Sequence, residues 1–380
     1  MVSEKRILRR LQRHLDKQPV GFPRALFGAD IRLLKHHFEK KEAEIALELG
    51  YRYEPFEAIH ERVKKQGISV RELHDVLLSL SEKGSIGYKE EGGVHYYSLV
   101  PLVVGMYEGK VFSLTHRYLK DVKRYQNSLR YGTSLLGTEI PQMRTIPIEK
   151  SITIDHGLPG YDDIVRIIND TDGPIVVLEC ICRKSDLMND KPCEKTKRLE
   201  TCMAFRDVAR TLAVFNKGRQ IDKGEALEIM RRNQEEGLVL QAFNSKEPDA
   251  VCSCCGCCCG MLGMQKLLPN PVDFWASNFH AVVDRSSCTG CGLCAKRCQV
   301  DAVQFNKRRR RIHINLKRCI GCGNCVPHCK PGAIRLVKKE TEAVPPKSYE
   351  EMQETIMRHK SKHYTARVIK KLIAGFTIMQ

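Results

Sequence analysis

One spacing of cysteines occurs twice in the chain and constrains its fold more than any other feature. The two copies are Cys288-x2-Cys291-x2-Cys294-x3-Cys298 and Cys319-x2-Cys322-x2-Cys325-x3-Cys329. Two C-x-x-C steps followed by a C-x3-C step let three thiolates of one loop bind three irons of a cubane, while the fourth cysteine binds the neighbouring cluster. The expected cofactors are therefore two [4Fe-4S] clusters.

The residues between these cysteines agree with that interpretation. Gly290, Gly292, Gly321 and Gly323 allow positive φ, which points backbone N–H groups toward an anionic cluster. Structural zinc is the first alternative, but zinc sites usually use two separated cysteine pairs. Disulfides are the second, and intracellular proteins rarely keep them.

The stretch resembles a bacterial-type two-cluster ferredoxin. The resemblance implies that Cys288, Cys291, Cys294 and Cys329 hold one cluster, and that Cys319, Cys322, Cys325 and Cys298 hold the other. The chain departs from the family pattern directly after each run. Gln299 follows Cys298, and Lys330 follows Cys329 with Pro331 one position later. These departures concern the local turn and leave the ligand set unchanged.

Charge is concentrated in the same region. The whole chain has a formal net charge of +18, and residues 280–340 hold 14 Lys and Arg against 3 Asp and Glu. Each oxidised cluster with four thiolates adds only −2, so the loaded region stays basic. The run from Lys307 to Arg311 lies between the two cysteine runs and is expected to project into water. It is either a solvated hairpin tip or a docking site for an acidic partner or a nucleic acid.

The N-terminal part, residues 1–118, reads as helices followed by a hairpin at Gly92-Gly93. A helix opens at the capping box of Ser69 and Glu72. Three helices and a hairpin resemble a winged helix, which binds DNA in many regulators. The predicted third helix and the wing tip are too acidic for a good DNA reader, so DNA binding is possible but disfavoured against a docking role.

The middle part, residues 119–279, alternates strand-like and helix-like runs and carries ten more cysteines. A third [4Fe-4S] cluster is the preferred interpretation of these thiols. Structural zinc and a redox-active dithiol within residues 252–259 stay open, because thiolates suit iron–sulfur clusters and zinc alike. The expected ligands of this third site are Cys182, Cys193 and Cys202, together with one or two of Cys254, Cys255 and Cys258.

The layout has a winged-helix-like front, a middle with C-I-C-R at residues 180–183 and C-C-x-C-C-C at residues 254–259, and a ferredoxin-like back. It resembles large multidomain 4Fe-4S binding proteins of anaerobic bacteria and archaea. The expected fold class is α+β and multidomain. Residues 1–118 form a winged-helix-like domain, residues 119–279 a cysteine-rich α/β domain, residues 280–340 a dicluster ferredoxin-like domain, and residues 341–380 a helical tail. No secretory signal opens the sequence and no apolar run is long enough to span a bilayer, so a cytoplasmic, anaerobic setting is expected.

Two functions compete at this point. The first is an electron carrier or electron-transfer subunit that serves an acidic redox partner or an oxidoreductase subunit, and the resemblance favours it. The second is a redox-sensing winged-helix transcription regulator. No general acid, base or activated nucleophile stands out, so a standalone enzyme is the less expected outcome.

Overall fold

The computed structural model describes residues 3–152, 158–360 and 364–377 and falls into two compact units. Unit 1 contains Met1–Glu139, Arg210–Lys217 and Gln353–Val368. Unit 2 contains Ile140–Ala209, Gly218–Met352 and Ile369–Gln380. The four-segment division stays a prediction from sequence, and residues 361–363 and 378–380 of the expected tail lie outside the described residues.

Unit 1 is mostly helical. Its elements are α1 Glu4–Asp16, α2 Ala29–Leu34, α3 Lys40–Ala46, β1 Glu54–Pro55, α4 Phe56–Val63, α5 Val70–Glu82, β2 Gly87–Glu91, β3 Val94–Ser98, α6 Tyr107–Gly109, α7 His116–Gln126 and α8 Leu129–Leu136. The Ser69 hydroxyl accepts the N–H of Glu72 at 3.2 Å, so the predicted cap of α5 is present. The three strands form an antiparallel sheet in the order β1-β3-β2, with a turn at Gly92-Gly93.

Unit 2 follows a different plan, in which strands and helices alternate. Its elements are β4 Met143–Ile146, α9 Ile164–Asn169, β5 Ile175–Glu179, α10 Ile181–Met188, β6 Glu200–Ala204, α11 Arg206–Val214, β7 Arg219–Ile221, α12 Lys223–Glu235, β8 Val239–Phe243, β9 Ala250–Cys254, α13 Gly260–Leu267, β10 Phe279–Val283, α14 Leu293–Arg297, β11 Val303–Asn306, β12 Arg311–Ile314, β13 Ile334–Lys338, α15 Tyr349–Arg358 and α16 Tyr364–Thr377. Helices α11, α15 and α16 are each divided between the two units.

The main sheet of unit 2 has six strands in the order β4-β8-β9-β6-β5-β7. All of its pairings are antiparallel, and β6 lies between β5 and β9. Cysteines of β6 and β9 therefore meet because their strands are neighbours. This differs from the loop convergence at one sheet edge that holds for parallel sheets.

Residues 279–338 carry two small sheets. β10 pairs with β13, and β11 pairs with β12, both antiparallel. These four short strands surround the two cysteine runs. The tip between β11 and β12 is exposed throughout, from Asn306 to Arg311, as the run of cations requires.

The hydrophobic core beside the cysteine runs is shared between the main sheet and residues 279–338. Val239 of β8 and Leu262 of α13 pack in one cluster with Phe279 of β10, Ile314 of β12 and Leu336 of β13. A second core within unit 2 lies between the main sheet and helices α9 and α12. The cysteine runs are thus fixed against the main sheet by apolar packing. Among the described residues, no helix is long and apolar enough to cross a membrane.

Candidate metal centres

Each cysteine run contains a position that only glycine can occupy. Gly290 has φ +65°, and a Cβ there would lie 1.9 Å from the carbonyl oxygen of Arg310. Gly321 also has φ +65°, and a Cβ there would lie 2.3 Å from the carbonyl oxygen of Phe279. The first loop therefore packs against the turn between β11 and β12 and the second against β10, and a side chain at either glycine would push the packed segments apart.

Thiols from the two runs are interleaved. Cys294 of the first run interacts with Cys291 of its own run and with Cys329 of the second. Cys322 of the second run interacts with Cys319 and with Cys298 of the first run. The last cysteine of each run therefore lies within electrostatic reach of the thiols of the other run. This is the arrangement that two cubanes with exchanged fourth ligands require.

The environment of these thiols is mainly apolar. Burial raises the pKa of Cys294 to about 11 and that of Cys322 to about 12. Backbone N–H groups act in the opposite direction, since Ala281 donates to the Cys319 sulfur at 3.3 Å and Ala302 donates to the Cys298 sulfur at 3.2 Å. Buried thiols lose their protons when a metal binds them, and the N–H donors then stabilise the thiolate.

The ten cysteines upstream separate into two sets. The first, called the Cys193 group, consists of Cys193, Cys255, Cys257 and Cys258, whose sulfurs all lie within 4.8 Å of one another. The Cys193 sulfur is 3.6 Å from those of Cys255 and Cys257, and the sulfurs of Cys257 and Cys258 are 3.7 Å apart. Thiolates at about 2.3 Å around one tetrahedral ion lie about 3.8 Å from each other, so the spacing suits a single metal ion.

Within the Cys193 group, the pKa of the Cys193 thiol is lowered. Burial opposes the charge on Cys193, but N–H groups of Lys195 and Thr196 and the thiols of Cys255 and Cys257 outweigh it and lower its pKa. The N–H of Lys195 lies 3.4 Å from the sulfur. Such N–H donors hold a thiolate ligand in place.

The second set, called the six-cysteine ring, takes its thiols from β6, β9 and the starts of α10 and α13. Its members are Cys180, Cys182, Cys202, Cys252, Cys254 and Cys259. Each thiol interacts with two others in a closed circuit that runs 180, 182, 259, 254, 252, 202 and back to 180. Cys252 and Cys254 alternate along β9 and therefore share one face of the sheet.

A buried cation lies between the two sets. Arg183 is 1% exposed and donates to the Thr201 hydroxyl and to the carbonyl oxygen of Ser253. Burial alone would lower the pKa of Arg183, but the thiols of Cys180, Cys202 and Cys255 raise it. The guanidinium thus lies within electrostatic reach of both the ring and the Cys193 group. Its Nε has no hydrogen-bond partner among the described residues.

The upstream cysteines are tied to the ferredoxin-like residues by a side chain that follows Cys298. The Gln299 Oε1 atom accepts the N–H of Gly256 at 2.9 Å, and its Nε2 atom donates to the carbonyl oxygen of Gly237 at 2.8 Å. Gly256 approaches so closely that a Cβ there would lie 2.2 Å from the Gln299 carbonyl oxygen. The residue that departs from the ferredoxin pattern therefore anchors the loop at residues 255–259.

The third site was expected to take Cys182, Cys193 and Cys202 with one or two of Cys254, Cys255 and Cys258, and the structure divides these candidates between the two sets. Cys193, Cys255 and Cys258 belong to the Cys193 group, whereas Cys182, Cys202 and Cys254 belong to the ring. Sequence reasoning did not include the fourth member of the group, Cys257, or the ring members Cys180, Cys252 and Cys259. The alternation of Cys252 and Cys254 in a strand was the available signal for the ring.

Comparison with protein families places a known domain at the cysteine runs. Residues 280–330 match the family described as "4Fe-4S dicluster domain". Comparison with curated proteins and with solved structures finds no match. The chain is thus a mixed helix and sheet protein whose C-terminal region is a ferredoxin-type domain. This domain binds 4Fe-4S clusters, and it implies iron–sulfur electron transfer.

Proposed function

We propose that the protein is an electron carrier, or an electron-transfer subunit, that passes single electrons to or from an acidic partner oxidoreductase. The observation that carries the proposal is the interleaving of the two cysteine runs in one core, with Cys329 within electrostatic reach of Cys294 and Cys298 within reach of Cys322. The two [4Fe-4S] clusters would supply one-electron redox chemistry. Cys288, Cys291, Cys294 and Cys329 would hold one of them, and Cys319, Cys322, Cys325 and Cys298 the other.

The residues around these thiols favour transfer over catalysis. Cys325 interacts with the thiols of its own set and also with Cys294 of the other set, so the two clusters would be close neighbours. Apolar side chains of the shared core, among them Ile320 and Ile334, exclude water from the thiols. N–H donors from Ala281 and Ala302 would raise the reduction potentials by stabilising the added electron.

A further metal belongs to this proposal. The Cys193 group would hold one zinc ion, because four thiolates at tetrahedral spacing form a closed site without an open position for substrate. Its ion would fix the loop at residues 255–259, which Gln299 attaches to the ferredoxin-type domain. The role is structural, and it supports the position of the neighbouring clusters.

Unit 1 is proposed to be a winged-helix-like docking module. The order of α3, β1, α4, α5, β2 and β3 and the sheet order β1-β3-β2 support it. Arg62 donates to Glu54 at 2.8 Å and Lys64 pairs with Glu61, so two cations that a DNA reader would offer to phosphates are already engaged. The described residues therefore give the regulator alternative no support.

Coulometric titration of the anaerobic holoprotein tests the electron-transfer proposal. We expect reversible uptake of about two electrons per chain from the dicluster domain, without consumption of a substrate. A protein with structural zinc at residues 288–329 would take up no electrons in that domain and would lack the EPR signal of two coupled clusters, and that result would overturn the proposal.

A further inference from the structure

The six-cysteine ring is a larger enclosure than a single ion needs. Its members interact in sequence around a circuit, but among the described residues the donor atoms that all lie within 4.8 Å of one another are those of the Cys193 group. Neighbouring thiols of the ring interact as hydrogen-bond partners, whereas those of the cysteine runs at residues 288–329 interact electrostatically, and neither set gathers around a single point. The spacing therefore indicates a polynuclear centre.

The donors of the ring are all soft and mostly sheltered. Cys180, Cys254 and Cys259 are each 7% exposed, and the other three are partly buried. Thiolates in the absence of carboxylate or imidazole favour iron–sulfur clusters and zinc. Each ion of a two-zinc site needs four sulfurs gathered at about 3.8 Å, and among the described residues the sulfurs that gather closely around one point are those of the Cys193 group.

The surroundings of the ring are suited to an anion. The guanidinium of Arg183 is buried at 1% exposure, and the carboxylate of Glu236 is within its electrostatic reach. Six neutral thiols would add no negative charge from the ring side, and a buried charge is costly where its surroundings do not balance it. A thiolate-bound cluster is anionic, and Arg183 lies beside Cys180 and Cys202 to balance it.

The ring is also continuous with the dicluster domain. Cys254 and Cys259 pack in the same hydrophobic core as Cys294, Cys319 and Cys325. The Gln299 side chain, next to Cys298, holds the loop between Cys254 and Cys259 through the Gly256 N–H. A centre in the ring would therefore lie on the side of the cluster that Cys298 ligates.

We propose that the six-cysteine ring binds a polynuclear iron–sulfur cluster of at least four irons, separate from the two ferredoxin-type clusters and from the ion of the Cys193 group. This assigns all 18 cysteines to metal sites, eight in the dicluster domain, four in the Cys193 group and six in the ring. The site adds to the proposed electron-transfer function and does not depend on it. If the ring binds no cluster, the two clusters of the dicluster domain are unaffected.

Acid-labile sulfide tests the proposal, because a mononuclear ion contributes none. Anaerobically purified wild-type protein is expected to contain at least about 12 sulfides per chain, of which the dicluster domain supplies about eight. The double variant Cys202→Ser/Cys252→Ser should lose at least about four irons and four sulfides per chain. It should keep the EPR signal of the reduced dicluster domain, which shows that the variant has folded.

The matched control is Cys257→Ser, which removes an exposed ligand of the Cys193 group. It should lose about one zinc ion per chain and keep all of its sulfide. A wild-type count near eight sulfides would overturn the proposal without touching the dicluster domain. Loss of sulfide in Cys257→Ser, with none lost in the ring variant, would also overturn it by placing the extra cluster in the Cys193 group.

Discussion

At the scale of single residues, Gln299 explains a departure that the sequence alone left as a local irregularity. It is 3% exposed, and both ends of its amide are hydrogen bonded to backbone groups outside the ferredoxin-type region. Proline at this position would offer neither bond. Where the ferredoxin pattern has its turn, this chain therefore has Gln299, which binds the loop that carries Cys255 to Cys259.

The first prediction concerns this attachment. Gln299→Leu should lower the free energy of unfolding of unit 2 by about 1–3 kcal/mol, because the N–H of Gly256 loses its acceptor. The measurement is chemical denaturation followed by circular dichroism. Gln304→Leu, on the exposed face of β11, is the matched control and should change stability little. Equal losses in the two variants would show that the Gln299 bond does not hold the loop.

A second prediction comes from His37, a fully enclosed side chain in unit 1. Burial lowers its pKa well below the usual value, and nearby Lys110 and His36 lower it further. The unfolded chain binds a proton on this residue below about pH 6.5 whereas the folded chain does not, so stability falls as the pH drops. One such group changes the free energy of unfolding by up to about 1.4 kcal/mol per pH unit below that point.

Hydrogen exchange of helix α2 at pH 7 and pH 5.5, corrected for the intrinsic rate, measures this effect. Protection should fall at the lower pH in the wild-type protein and in His313→Gln, whose side chain is exposed on β12. In His37→Gln, which cannot titrate, the difference between the two pH values should shrink. An unchanged difference in that variant would assign the pH dependence to other groups.

At the scale of elements, the hairpin of β11 and β12 presents the strongest local charge. The segment from Lys307 to Arg311 is exposed, and it lies between the two cysteine runs in sequence. Positive charge at such a position accelerates encounter with an anionic partner and loses its effect in salt. This gives the proposed acidic partner a specific docking element.

The third prediction tests that element with a small anionic oxidant. Replacing Lys307, Arg308 and Arg309 by Gln should slow oxidation of the reduced protein by ferricyanide several-fold at low ionic strength. The control variant changes Lys120, Lys123 and Arg124 of α7 to Gln, which removes the same charge from another exposed surface. If the stopped-flow oxidation rates fall equally in both variants, the net charge of the protein controls the rate, and the position of the charge on the hairpin does not.

Elements also show what the sequence could and could not predict. The dicluster region was predictable because its cysteines lie close together in sequence and the strands around them are short and local, as β11 and β12 confirm. The division of the other ten cysteines into the Cys193 group and the six-cysteine ring was not predictable. It depends on β6 pairing with β9, where Met203 faces Val251, and that register joins residues almost fifty positions apart.

At the scale of the whole molecule, the described chain joins a cysteine-rich unit to a helical one. Within unit 2 the main sheet and the ferredoxin-type region share one core, so the expected boundary at residue 279 does not separate their hydrophobic packing. Composition indicated a metalloprotein, but no local pattern could show that Val239 packs with residues of β10 and β13. Contacts of this kind arise only when distant segments fold together.

The central claim is that the cysteine runs hold two neighbouring clusters that each accept an electron. EPR of the fully reduced, anaerobic protein tests it most directly when wild type is compared with Cys291→Ser. We predict about two interacting spins per chain from the dicluster domain in the wild type, and the narrower spectrum of an isolated cluster in place of the coupled pair in the variant. Spectra that are identical in the two proteins, or a wild type without any signal on reduction, would contradict the account.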